Sequence, residues 1–330
     1  MATTDKRILW IDMARGLCMM AILLFHTECY YCGEEIIPYV VFAGNAAITF
    51  FFVSGYLFVR PDAEFSIKCK TRSIITGLVV PYFIFTLVIA LPKTFAHDDL
   101  SIQDALLNII TGHATWFVPA LIVTQLLFML FMLLMRLCKG RHQWLPVGCA
   151  LPFVVVALLH HYIDNEVLSS HNLWCWQNAF FMLFFFYMGH AMRQRKEMVA
   201  LLRRNDVLAL LAVIVVGMKI MEYRTGICLT VEPIHVTSFI LLLIDGLLVS
   251  LLVCAVCLRL PRIAPIEWTG ANSLYYYFIC GGVPLMVGKA LNWCHLPYDN
   301  QIWRLILAFI IVYIAATAIV WMLNLIKTRR

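Results

Sequence analysis

The chain has 330 residues, of which 62% are hydrophobic and only 13% charged, with a formal net charge of +6. Soluble globular domains carry about 45–50% apolar and about 25% charged residues, so this composition excludes water as the main solvent and points to the bilayer. The positive charge does not signal nucleic acid, because it collects in short segments between apolar stretches, where it reports membrane orientation.

Apolar stretches near the ~20 residues needed to cross ~30 Å of hydrocarbon recur along the chain. They place spans at 8–28, 38–59, 73–92, 115–137, 146–163, 173–192, 207–223, 236–258, 273–290 and 302–326. The first span contains Asp12 and Arg15 and is followed at once by others, so it is expected to stay in the protein rather than be removed as a signal peptide. With the amino end inside, the inner segments hold Lys6, Arg7, Arg60, Lys68, Lys70, Arg72, Arg136, Lys139, Arg141, Arg193, Arg195, Lys196, Arg203, Arg204, Arg259, Arg262, Lys327, Arg329 and Arg330. That is 19 of the 25 basic residues. The outer loops hold Glu34, Glu35, His97, Asp98, Asp99, Asp164 and Glu166, so the bias puts both ends in the cytoplasm.

Backbone polar groups in lipid must be satisfied within their own segment, and the stretches are too long for barrel strands. The expected fold is therefore all-α: a polytopic transmembrane helical bundle of about ten spans, as one domain over 1–330. Pro38, Pro81, Pro119, Pro152 and Pro284 fall at or near span ends, where a missing donor costs little. Two outer loops are longer, 93–114 and 224–235, and the first is expected to carry an amphipathic interfacial helix around Leu100 to Ile110. Most of the twelve Cys lie within apolar spans as small hydrophobes. Cys29 with Cys32, or pairs among Cys175, Cys228 and Cys294, are within the reach of outer disulfides if that compartment oxidises.

Ionisable groups inside lipid cost upward of ~2.5 kcal/mol each, which makes every one of them a functional candidate. The first span has four: Asp12, Arg15, His26 and Glu28. Asp12 and Arg15 are three apart and share a face, near the cytoplasmic surface. Arg15 and His26 are eleven apart, almost three turns and ~16 Å along the axis, so they stack on one stripe, one low and one high. Two readings stand side by side. Arg15 is either the cation of an inward polar track or a snorkelling interfacial residue, and His26 is either its imidazole or a satisfied interhelical bond. Lys219 and Glu222 form a plausible i,i+3 ion pair, Asp245 lies mid-span and needs a partner or cavity, and His190 and Arg304 are expected at the interface. The basic loops at 60–72 and 192–206 read as topogenic charge before they read as a phosphate-binding rim. No metal-ligand cluster, glycine-rich phosphate loop or nucleophile elbow stands out.

The segment RILWIDMARGLCMMAILLFH, residues 7–26, resembles the opening of the acyltransferase 3 family of membrane acyltransferases, which carries Asp, then Arg-Gly, then a His ten residues further on. The likeness continues through FFFVSGYLF at 50–58, VVPYFIF at 79–85, TWFVPALIVTQLLF at 115–128, FYMGHAMR at 186–193 and SLYYYFI at 273–279. The resemblance implies O-acylation, typically acetylation, of a sugar in a surface or exported glycan, with acyl-CoA, typically acetyl-CoA, as a cytoplasmic co-substrate rather than a resident cofactor. Its implied partners are a glycan or lipid-linked sugar acceptor and membrane lipids, with no nucleic acid, and its implied place is a bacterial inner membrane. Carried over, His26 is the catalytic base, Arg15 its motif partner and Asp12 the third member. Lys68, Lys70, Arg72 and Arg15 are implied for the coenzyme A phosphates, and Glu28, Ser54, Trp116, Asp245 and Tyr277 for the acceptor. Two departures stand out: a closer pair of Arg is missing before Pro81-Tyr82, and Cys280 stands where relatives often have His. A transporter or flippase, with Arg15, His26, Lys219, Glu222 and Asp245 along a pathway, is the competing expectation.

Overall fold

The computed structural model describes residues 8–59, 65–96, 101–137 and 142–328. Lys6, Arg7, Arg60, His97, Asp98, Asp99, Lys139, Arg141, Arg329 and Arg330 of the charge pattern lie outside them. In chain order the helices are α1 (Leu9–Thr27), α2 (Tyr39–Phe58), α3 (Ile67–Ile74), α4 (Val80–Ala96), α5 (Ile102–Thr111), α6 (Phe117–Leu137), α7 (Leu145–Tyr162), α8 (Asn165–Ser170), α9 (Trp176–Gln194), α10 (Lys196–Leu202) and α11 (Asn205–Thr225). A short hairpin follows, β1 (Leu229–Val231) and β2 (Ile234–Val236), and then α12 (Phe239–Cys257), α13 (Ala264–Ala271), α14 (Ser273–Ile279), α15 (Gly282–Trp293) and α16 (Ile302–Thr328).

The protein is an all-α polytopic bundle. Every expected span coincides with a helix or a helix pair, but they differ in apolar character. Seven stretches among the described residues are long and apolar enough to cross a membrane, and the α14–α15 pair, bent by 50°, would make an eighth. The helices at the sixth and seventh expected spans, α9 and α11, stand apart from that set because their turns carry Gln177, Asn178 and Arg193, or Asp206, Lys219, Glu222 and Arg224. The outward faces are apolar, as lipid contact requires: Val213 is 71% and Ile314 61% exposed.

Three local expectations change. The basic stretch 60–72 is not all loop: Ser66 caps α3, so Lys68, Lys70 and Arg72 are helical and continue through a π-helical turn, Ile75–Val79, into α4. Pro152 lies inside α7 rather than near its end, a position that membrane helices tolerate when neighbours satisfy the freed backbone. The loop 224–235 contains the β1–β2 hairpin. A helix does form in the loop 93–114, as α5, capped by Ser101 on the Asp104 N–H at 3.1 Å, with Leu106, Leu107 and Ile110 exposed while Ala105 and Ile109 are buried. None of the described cysteines is disulfide-bonded.

The chain forms two compact units. The first comprises Met1–Phe50, Ala200–Ile227 and Ile244–Arg330. In it α1 packs on α13 and also meets α14, α15 and α16. Glycines set the α1–α13 distance: a Cβ on Gly16 would sit 2.0 Å from the Ile266 carbonyl oxygen, and one on Gly270 1.7 Å from that of Asp12. The second unit, Phe51–Val199 with Cys228–Leu243, is built around α9, which packs on α6 and α7. There a Cβ on Gly55 would sit 1.8 Å from the Phe186 oxygen, and one on Gly189 1.8 Å from that of Phe52, so two backbones touch where the small residues fall. Phe58, Phe128 and Phe186 pack mutually at centroid distances of 5.1 to 5.3 Å beside that crossing.

Candidate functional site

In the first unit α1 runs unbroken from Leu9 to Thr27, so Arg15 and His26 keep the eleven-residue spacing on one helix. Arg15 is half-buried, and its Nη2 donates to Ser273 Oγ at 2.8 Å, at the start of α14. A guanidinium held this way faces neighbouring helices and does not snorkel along the lipid surface. Asp12 is buried one turn earlier, with its carbonyl against Gly270.

His26 is half-buried near the other end. Its ring stacks on Tyr30 at 6.1 Å and meets Phe25 edge-on at 5.6 Å. Among the described residues its ring nitrogens have no hydrogen bond, so the interhelical-bond alternative is not realised there and neither nitrogen is occupied. Beyond it the chain widens into a π-helical turn, Glu28–Cys32, the kind of local distortion that is frequent at functional sites. Glu28 is fully buried there: Oε2 accepts the Ile37 N–H at 3.2 Å, and Oε1 has no partner.

The same unit gathers a second polar group from α2, α11 and α12. Lys219 Nζ donates to Glu222 Oε2 at 2.9 Å and to Asp245 Oδ2 at 2.7 Å, which realises the expected i,i+3 pair and supplies Asp245 with its partner. Asn45 joins them, donating to Asp245 Oδ2 at 2.7 Å. Its part was invisible in sequence, since one Asn in an apolar helix has no signal of its own. Tyr277 is half-buried on α14, edge-on to Phe278.

In the second unit the three basic residues of α3 divide. Lys68 and Arg72 are one turn apart and exposed, whereas Lys70 turns inward, donating to the Phe58 carbonyl at 3.0 Å and lying 3.9 Å above the Phe58 ring. It closes the C-terminal end of α2, where a cation meets unsatisfied carbonyls. Ser54 is half-buried beside Gly55, and Trp116 lies edge-on to Phe117 just before α6. His190 is buried, at 7% exposure, edge-on to Phe128, with Nδ1 unpartnered. Arg193, one turn on, donates to the Tyr56 hydroxyl at 3.2 Å. At the opposite end Asn178 Nδ2 donates to the Val231 carbonyl at 2.6 Å and to Glu232 Oε2 at 2.7 Å, tying the hairpin to α9. Burial pushes the Glu232 carboxyl above its ordinary value, against the opposing bond from Asn178.

No group of three or more His, Cys, Asp or Glu that could hold a metal ion occurs among the described residues. The chain matches a family model described as an acyltransferase domain across residues 8–325, from the start of α1 almost to the end of α16. No curated protein and no solved structure matches it.

Proposed function

The chain belongs to the acyltransferase 3 family of acyltransferase domains, and from that premise we propose that it moves an acyl group, acetyl in the first instance, from acyl-CoA on the cytoplasmic side to a hydroxyl of a sugar or other envelope acceptor. It is a multi-pass membrane acyltransferase; donor, acceptor and the residues that act are the proposal. The observation that carries it is α1 itself, where a guanidinium bonded to Ser273 and an imidazole with no hydrogen-bond partner among the described residues stand on one continuous helix.

In this reading His26 takes the proton of the acceptor hydroxyl as its oxygen attacks the thioester carbonyl. The tetrahedral oxyanion collapses, the C–S bond breaks, and the proton passes from the imidazolium to the departing CoA thiolate, so no net proton is consumed. Arg15 supplies positive charge toward the cytoplasmic end, and Lys68 and Arg72, exposed on one face of α3, meet the donor's phosphates. Lys70, occupied at the end of α2, is left to structure. Glu28, Ser54, Trp116 and Tyr277 remain proposed acceptor contacts, whereas Asp245, buried against Lys219 and Asn45, is left to structure. The cytoplasmic termini, the ten-span count and the bacterial inner membrane belong to the same proposal and rest on the positive-inside bias.

Acceptor acylation measured in cells expressing the protein, His26→Ala and Arg15→Ala tests it. Loss in both, at normal protein level, is expected; normal acylation in both removes the mechanism. Thermal shift with CoA or acetyl-CoA separates it from a transporter, since only a transferase of this kind needs a CoA site.

A further inference from the structure

Outside the Arg15–His26 helix, the densest titratable chemistry is the group formed by Asn45, Lys219, Glu222 and Asp245. The side chains of Glu222 and Asp245 are 0% and 1% exposed, and that of Lys219 is 12%. Two carboxyls share one ammonium, so with every one of the three ionised the group keeps one uncompensated negative charge in a water-poor interior. Burial of that kind is relieved by binding a cation, and the smallest is a proton.

The hydrogen bonds say which carboxyl would carry it. Asp245 Oδ2 accepts from both Lys219 Nζ, at 2.7 Å, and Asn45 Nδ2, also at 2.7 Å, so two donors already fill it. Lys219 also donates to Asn45 Oδ1 at 3.2 Å, which fixes the amide so that its NH2 faces Asp245. Glu222 accepts from Lys219 alone, through Oε2 at 2.9 Å. Its Oε1 is buried without a donor, and so is Asp245 Oδ1. A proton on Glu222 turns the first of these orphan oxygens into a donor and leaves the second as an acceptor in the same cluster.

We propose that this cluster is a proton-binding site, with Glu222 as the group that carries the proton, Asp245 as the second carboxyl bound to Lys219, and Asn45 as the amide that distinguishes the two carboxyls. Among the described residues the site gathers Asn45 from α2, Asp245 from α12, and Lys219 with Glu222 from α11, while Tyr223 and Arg224 on α11 are exposed. Lys219, the most exposed member, is the contact through which the proton exchanges. The inference is independent of the acyl-transfer reading.

Labelling of the full chain in lipid nanodiscs with dicyclohexylcarbodiimide tests it. A protonated carboxyl in an apolar setting adds its O–H across one C=N bond of the reagent, with no leaving group, and peptide mapping locates the adduct. The adduct is expected on Glu222, falling about tenfold per pH unit above that group's titration point. Asp245→Asn is expected to reduce labelling of the intact Glu222, because Glu222 then becomes the only anion beside Lys219. Glu222→Gln, a mimic of the protonated acid, is expected to fold and to flatten the fall in Tm as pH rises above the ordinary carboxyl range. An adduct on Asp245 instead, no adduct on Glu222 in protein with a native elution profile, or protection by sodium at constant pH would each overturn the assignment.

Discussion

Arg15 of α1 donates to Ser273 of α14 at 2.8 Å, so the cation of the family's opening motif is held by the first residue of the Tyr-rich segment, 258 positions away. Two stretches recognisable separately in sequence meet in one bond. Ser273 is buried, at 3% exposure, and a hydrogen bond to a charged group is worth about 1.5–3 kcal/mol. Ser273→Ala is expected to lower acyl transfer less than Arg15→Ala does, and to shift the KM for acyl-CoA in the same direction. Steady-state kinetics on purified protein in lipid check this, and a larger loss in Ser273→Ala than in Arg15→Ala would contradict it.

Removal of a general base typically costs about 10²–10⁴ in rate. His26→Ala and His26→Gln are both expected to lose at least about a hundredfold in kcat, with elution profile and Tm unchanged, because the imidazole makes ring contacts but no hydrogen bond. A comparable fall in Tm would make the residue structural.

The four crossing glycines predict a different signature. Gly270→Ala and Gly189→Ala each push a Cβ to within 1.8 Å of a backbone oxygen, where no flexible side chain can yield. Overpacking ordinarily costs about 1–3 kcal/mol, and backbone displacement adds to that. Expression and Tm are expected to fall in both. Gly217→Ala, with open space at its Cβ, is the control and is expected to hold.

The divided α3 separates binding from stability. Lys68→Ala with Arg72→Ala is expected to raise the KM for acyl-CoA severalfold at unchanged Tm, while Lys70→Ala is expected to cost about 1 kcal/mol of stability through the lost bond and ring contact at the end of α2. If Lys70→Ala alone raises the KM with Tm unchanged, the roles are reversed.

Glu232 gives a pH test outside the spans. Its folded-state carboxyl holds its proton to higher pH than the ordinary value of 4.5, chiefly through burial. The folded state therefore binds more protons than the unfolded one above that value, and stability falls as pH rises from about 4.5 toward neutral. Glu232→Gln keeps an oxygen for Asn178 and loses the charge. Its Tm is expected to exceed the parent's near neutral pH and to converge with it near pH 4, as followed by thermal unfolding across pH; a constant offset at all pH values would contradict this.

Sequence alone determined the class of structure, because the ban on unpaired backbone groups in lipid turns long apolar runs into helices. It also placed a helix around Leu100 to Ile110 in the first long loop, and the Arg15–His26 spacing through helical periodicity, since these depend only on neighbours along the chain. Tertiary structure decided what needs a partner from elsewhere. Local pattern suggested Lys219 with Glu222, but Asp245 and Asn45 came to them from two other helices; Lys70 parted from Lys68 and Arg72 because the end of α2 lay beside it. His190 was drawn inside by packing against Phe128, and Gly16, Gly55, Gly189 and Gly270 acquired meaning only where another backbone came to rest on them. Periodicity says which residues share a face, whereas charge pairing, burial and close backbone contact are set by what that face meets.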